Sequence, residues 1–191
     1  MPYVPQNFDH LLGTAGFSDQ LLKNHFTLYQ GYVTNTNKLS DELAALMKDG
    51  KAGTPQYAEM KRRFGWEFDG MRLHEYYFGN MCKQSIVPSS EFIERIAKDF
   101  GSYEAWEKDF KATGSMRGIG WAVLYHDQLA DRLFNVWVNE HDVGHFAGCT
   151  PTLIMDVFEH AFMLDYGTKR ADYIEAFMKA IDWEAVEKRL E

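Results

Sequence analysis

Leu153-Ile154-Met155-Asp156-Val157-Phe158-Glu159-His160-Ala161-Phe162-Met163-Leu164-Asp165-Tyr166 begins as an apolar run of strand type, turns acidic, and carries a histidine as helical character sets in. Asp156 and His160 stand four apart, a spacing that puts both on one face if a helix has begun between them. A carboxylate and an imidazole at the mouth of a strand make half of a four-ligand metal site. The same pair reads equally well as a helix-capping acid and a hydrogen-bonded core histidine. The rest of the chain has to decide.

Immediately upstream, Trp121-Ala122-Val123-Leu124-Tyr125 and Leu133-Phe134-Asn135-Val136-Trp137-Val138 are rich in β-branched and aromatic residues, with a polar turn between them. They read as an antiparallel hairpin, to which residues 152–155 add a third strand. Gly114, Gly118 and Gly120 break the helical pattern before it. Residues 91–99 and 103–113 read as two short helices split by Gly101-Ser102. Downstream, helices are expected around 158–164, at 171–180 and, after the N-cap Asp182, at 183–190.

The N-terminal half is purely helical in pattern. Residues 1–16 lack periodicity and read as an irregular arm. Ser18 offers an N-cap with Asp19 in the first turn, which suits the helix dipole. Leu21, Leu22, His25, Leu28, Tyr29, Tyr32 and Val33 then recur at helical intervals and define a buried face. A second helical stretch is expected at 41–47, followed by a glycine-containing turn at 48–53. Thr54-Pro55 is an N-cap followed by proline at the first helical position. From it a helix runs to about residue 81, with Tyr57, Met60, Phe64, Phe68, Met71, His74 and Phe78 along one stripe. Gly65 and Gly70 each cost about 1 kcal/mol relative to alanine in a helix interior, tolerable where something packs closely on the backbone. The two helical segments form an antiparallel hairpin on which His25 and His74 can face each other. Taken singly, a histidine in either place is more often a hydrogen-bonded core residue than a ligand.

The expected fold class is α+β. Residues 1–87 form an N-terminal helical hairpin domain. Residues 88–191, entered through the connector 84–87 and Pro88-Ser89-Ser90, form a C-terminal α/β domain with a small three-stranded antiparallel sheet. A chain of 191 residues buries a sizeable core. The net charge of −8 argues against general binding to nucleic acid or anionic membranes, and an anionic substrate would need a local basic funnel. No run approaches membrane-spanning length, and Met1-Pro2-Tyr3-Val4-Pro5 lacks the basic start and apolar stretch of a signal peptide, which points to the cytoplasm. Cys82 and Cys149 are too few for a disulfide framework and are expected as buried or half-buried thiols.

Three ordered words carry a family resemblance. Phe100-Gly101-Ser102-Tyr103-Glu104-Ala105-Trp106, Gly118-Ile119-Gly120-Trp121-Ala122, and Asp156-Val157-Phe158-Glu159-His160-Ala161 followed by Arg170-Ala171-Asp172-Tyr173 and Trp183 resemble segments of the iron/manganese superoxide dismutases. The resemblance runs from about residue 18 onward and is strongest after Phe100. It implies a superoxide dismutase that converts superoxide to dioxygen and hydrogen peroxide. It implies His25, His74, Asp156 and His160 as metal ligands for one iron or manganese ion per chain. It also implies Tyr32, His141 and Trp121 around that ion, with the bound solvent, Tyr32 and His141 as the proton path and Trp121 keeping the pocket apolar. Glu159 is implied at a subunit interface, reaching the partner copy of His160 in a homodimer or tetramer. Arg170 is the implied anion-guiding cation, with Arg72 and Lys23 as further candidates from their nearness to ligands in sequence.

The chain departs from that pattern in places. The family's first histidine ligand and pocket tyrosine are eight residues apart, whereas His25 precedes Tyr32, in the word Tyr32-Val33-Thr34-Asn35, by seven. Seven residues keep two side chains on one face of a plain α-helix, and an eighth rotates them apart by about 80°. The expectation is that this helix lacks the π-bulge that absorbs an extra residue, so His25 and Tyr32 point together. Gly70 and His141 take the two places where members carry a glutamine near the metal-bound solvent, which implies His141 as that solvent's partner. Phe78, Val123 and Phe158 stand where many members have tryptophan, and Met163 stands where many have tyrosine.

Two other classes compete. His141-Asp142-Val143-Gly144-His145 has the i,i+4 spacing of a zinc hydrolase's histidine pair, to be completed by His160, but lacks the glutamate of H-E-x-x-H and carries a helix-weakening glycine. A non-catalytic helical dimer would use every histidine structurally.

Overall fold

The computed structural model describes residues 1–190. An irregular N-terminal arm, with one 3-10 turn at Asp9–Leu11, leads into helix α1, Asp19–Lys48. The Ser18 hydroxyl accepts the Leu21 N–H at 3.1 Å and caps it. Helix α2, Pro55–Phe78, is capped in the same way by Thr54, which accepts the Tyr57 N–H. Contacts run in opposite order along the two helices: Tyr29 meets Glu75, and Asn35 meets Glu67. The pair is therefore an antiparallel hairpin.

Helix α1 differs from expectation in being continuous. The apolar rhythm lapses after Val33, yet Thr34 returns its hydroxyl to the Gln30 carbonyl, Asn35 reaches Glu67, and Asn37 bonds both polar groups of Tyr3. With their side chains engaged, these polar residues do not compete for the helix backbone, and the two expected stretches fuse. Leu28, placed on the buried stripe by its spacing, is instead 37 % exposed. No helix among the described residues is long and apolar enough to cross a membrane.

Helices α3, Ser90–Phe100, and α4, Tyr103–Gly114, follow, with hydroxyl caps from Ser89 and Ser102. The sheet comprises β1, Gly120–Asp127, β2, Arg132–Asn139, and β3, Cys149–Asp156, in the order β2-β1-β3 with both pairings antiparallel. Trp121, second in the central strand, is paired with Val138 on one side and Asp156 on the other. The expected helix at 158–164 is a 3-10 turn, Glu159–Ala161, followed by the short α5, Met163–Tyr166. Asp156 Oδ1 accepts the Phe158 N–H at 2.8 Å, turning the chain sharply out of β3 before a regular helix can begin. Helices α6, Arg170–Met178, and α7, Trp183–Glu187, complete the fold. Both cysteines are half-buried free thiols.

Asn80, just past α2 and fully buried, joins the hairpin to the sheet. Its side chain accepts the Ile154 N–H at 2.9 Å and donates to the Ile154 carbonyl at 3.1 Å, imitating a neighbouring strand along β3. Arg189 reinforces the joint by donating to the Thr152 and Tyr76 carbonyls. Because β3 ends in Asp156, this joint sets the position of the carboxylate relative to the hairpin histidines.

Candidate metal centre

His25 projects from α1, His74 from α2, Asp156 from the end of β3, and His160 from the 3-10 turn that follows. One ligand atom from each lies within 4.8 Å of all the others. Asp156 Oδ2 is the common centre, 3.1 Å from Nε2 of His25, 3.6 Å from Nε2 of His74 and 3.1 Å from Nε2 of His160. His25, His74 and Asp156 are buried, whereas the His160 side chain is 28 % exposed.

The donors fit a metal ion. His74 Nδ1 donates to the Gly70 carbonyl at 2.5 Å, so its proton sits there and Nε2 turns a lone pair inward. That buried Nε2 has no hydrogen-bond partner. A buried nitrogen without a partner is costly, and a cation resolves the cost. Burial works against the Asp156 charge, but His160 and His25 more than offset it and hold the carboxyl far below the usual range. Burial holds His25 below the ordinary imidazole value, and it holds His74 further below still, helped by His25. Neutral imidazoles at His25 and His74 beside an ionised Asp156 are the protonation states that a transition metal requires of those ligands.

Around these four lies a directed hydrogen-bond chain. Trp121 Nε1–H can only donate, and it meets His141 Nδ1 at 3.1 Å. His141 Nε2 therefore carries the ring proton and donates to the Tyr32 hydroxyl oxygen at 2.8 Å. The Tyr32 hydrogen is left free for another acceptor. The Tyr32 ring stacks on His74 with centroids 5.1 Å apart, and α1 contains no π-helical turn between His25 and Tyr32. Gly70 makes the room: a Cβ there would lie 2.7 Å from Tyr32 Cδ1 and 3.2 Å from His141 Cδ2. Burial pushes His141 down to about 4 and raises the Tyr32 hydroxyl well above its usual value.

Aromatic rings seal the cluster. Phe78 lies 4.9 Å from His25, Trp121 lies 5.0 Å from His74, and Phe158 stacks on both His141 and His160. Trp66, which the sequence reading did not single out, lies 4.5 Å from His141 and donates its N–H to Glu140. Arg63 was also missed. Its guanidinium stacks 3.9 Å over Trp66 and pairs with the buried Glu67. The signal was present, since Arg63, Glu67, Gly70 and His74 share one face of α2 at spacings of four, three and four.

The three cations named from the sequence are engaged or peripheral. Arg170 donates to the Met116 and Gly118 carbonyls, Arg72 pairs with Glu75, and Lys23 stands exposed on α1. The zinc-hydrolase reading fails on geometry. His141 to His145 is a turn rather than a helix, and all four ring nitrogens of that pair have partners.

The model of the iron/manganese superoxide dismutases, C-terminal domain, matches residues 88–189. A protein of Haloferax volcanii named superoxide dismutase [Mn] 2 is 37 % identical over 190 residues, covering 98 % of this chain and 93 % of its own. The superoxide dismutase [Fe] of Methanothermobacter thermautotrophicus is 35 % identical over 195 residues, covering 100 % and 94 %. That of Aquifex pyrophilus, also named [Fe], is 33 % identical over 193 residues, covering 98 % and 87 %. The α+β fold brings three histidines and one aspartate together in a cluster able to hold a metal ion. The chain belongs to the iron/manganese superoxide dismutase family, and as such it is an oxidoreductase.

Proposed function

We propose that this dismutase works at one iron or manganese ion per chain, held by His25 Nε2, His74 Nε2, Asp156 Oδ2 and His160 Nε2. The observation that carries the assignment is the convergence of these four atoms on one point, with His74 Nε2 buried and otherwise unpartnered. The overall reaction takes two superoxide anions and two protons to one dioxygen and one hydrogen peroxide. The bound ion would supply the reversible one-electron exchange that the reaction needs.

The chain's own residues do the rest. Tyr32 offers its hydroxyl hydrogen to the reduced dioxygen species, and its oxygen is kept in place by the His141 N–H. Trp121 sets the His141 tautomer by occupying Nδ1, so the chain runs in one direction only. The proton that Tyr32 gives up is replaced from solvent, while the His141 Nε2–H stays on its nitrogen and stabilises the Tyr32 oxygen until that proton arrives. Phe78, Trp121 and Phe158 exclude bulk water, which strengthens each of these interactions. The enzyme acts as a cytoplasmic homodimer in which Glu159, exposed beside His160, reaches the partner copy of that ligand. The exposed Met163 and Leu164 on the following turn support a covered face there.

Metal analysis of untagged protein purified without added metal tests the assignment. Near-stoichiometric iron or manganese is expected, lost when His74 or Asp156 is replaced by alanine. Full metal content in both variants would overturn it.

A further inference from the structure

His141 stands in an irregular loop between β2 and β3, yet its ring depth is narrowly set. Its Cδ2 abuts the space left by Gly70, and both nitrogens are committed. Its neighbours close the loop into a tight turn: Asn139 and Val143 exchange backbone hydrogen bonds, and Glu140 N–H bonds the Ile119 carbonyl. Gly144 adopts φ +105 with Trp137 O 2.8 Å from where a Cβ would stand, so that position is closed to other residues.

The remaining restraint is His145. Its Nε2 lies 2.8 Å from the His141 carbonyl oxygen. A carbonyl only accepts, so Nε2 carries the proton and Nδ1 is an acceptor. The Tyr125 hydroxyl donates to it, 2.6 Å from Nδ1. Asp69, one residue before Gly70, sits 3.7 Å from Nε2. These groups form one wall of a cavity of ≈ 180 Å³, together with Phe146 and Cys149.

We infer that His145 is the positioning residue for His141: clamped by Tyr125 on β1, it holds the His141 main chain so that the imidazole spans Trp121 and Tyr32. This rests on the reading of His141 as part of the proton path. His145 touches neither ligand nor substrate and acts through one carbonyl. The two histidines that resemble a zinc pair in sequence are thus a working residue and its anchor.

The test compares holoenzymes loaded with the same metal: His145→Ala, His145→Gln, Tyr125→Phe, His141→Ala and the double variant His141→Ala/His145→Ala. Turnover is measured at saturating superoxide, and azide affinity is read from the visible absorption of the oxidised centre. Removing His145 is expected to lower turnover about tenfold and to shift azide affinity, with metal content unchanged. His145→Gln, which keeps an N–H for the carbonyl, is expected to restore most of both. Tyr125→Phe is expected to move both in the direction of the alanine variant, by less. In the His141→Ala background, loss of His145 is expected to cost less than about twofold, because its target is gone. Wild-type turnover and azide affinity in His145→Ala, a glutamine variant as impaired as alanine, or an undiminished effect in the double variant would each overturn the proposal. Wild-type turnover in His141→Ala alone would instead overturn the proton-path reading on which it rests.

Discussion

His141 Nε2 and the Tyr32 hydroxyl oxygen lie 2.8 Å apart, and the proton between them belongs to the histidine because Trp121 occupies the other ring nitrogen. Tyr32 is therefore a donor towards the pocket and an acceptor towards the protein. Replacing it with phenylalanine removes both roles while keeping the ring on His74. Turnover is expected to fall about 10- to 100-fold at unchanged metal content, measured by pulse radiolysis alongside metal analysis.

The two glycines of α2 separate cleanly. Gly70→Ala forces a methyl group against Tyr32 and His141 and is expected to destabilise the protein by about 1–3 kcal/mol and to lower turnover. Gly65 has no heavy atom within 4 Å of an added Cβ. Gly65→Ala is expected to stabilise by about 1 kcal/mol and leave turnover alone. Urea unfolding and steady-state kinetics on the two variants check both halves.

Burial lowers His141 to about 4, whereas in the unfolded chain it titrates near the ordinary value of 6.5. Between these values the unfolded state binds more protons, so His141 makes stability decline as pH falls from about 6.5 to about 4, by no more than about 3 kcal/mol. His141→Gln is expected to flatten that part of the stability profile. Urea midpoints for both proteins across pH 4–7 measure the difference; parallel profiles would refute it.

Glu159 is exposed on the turn that carries His160. If it crosses to a second copy, Glu159→Ala is expected to shift sedimentation from a two-chain to a one-chain particle. Unchanged sedimentation would place the interface elsewhere.

Much of this was legible in the chain. Hydroxyl caps and the Thr54-Pro55 start marked the long helices, and strand composition marked the sheet, because these signals are local. The spacing of Asp156 and His160 is misleading on local structure, though the two side chains do meet. Their four-residue spacing suggested a helix face, whereas they meet across a strand end and a 3-10 turn. Gly65 and Gly70 looked alike, since nothing local says that Tyr32 and His141 crowd only the second. The polar run after Val33 suggested a break that tertiary hydrogen bonds to Tyr3 and Glu67 remove. Arg63 and Trp66 lie off the apolar stripe of α2, and no local spacing ties them to His141, which reaches Trp66 from the loop after β2. His145 was legible as half of a pair, but its partner atom is a backbone carbonyl, which no spacing rule reveals.

The Asn80 clamp between α2 and β3 holds Asp156 in place through hydrogen bonds that owe nothing to a metal. The cage is thus finished by the polypeptide itself, and three of its four walls are closed to solvent. An ion held there is expected to leave, or to be exchanged, only as fast as hairpin and sheet part company. Whichever of the two metals is abundant while the chain is folding would then stay in residence, whatever the equilibrium preference of the finished site. Loosening the clamp with Asn80→Ala should hasten escape of the ion to a chelator far more than it alters the bound enzyme, making metal identity a record of the cell's supply at the moment of synthesis.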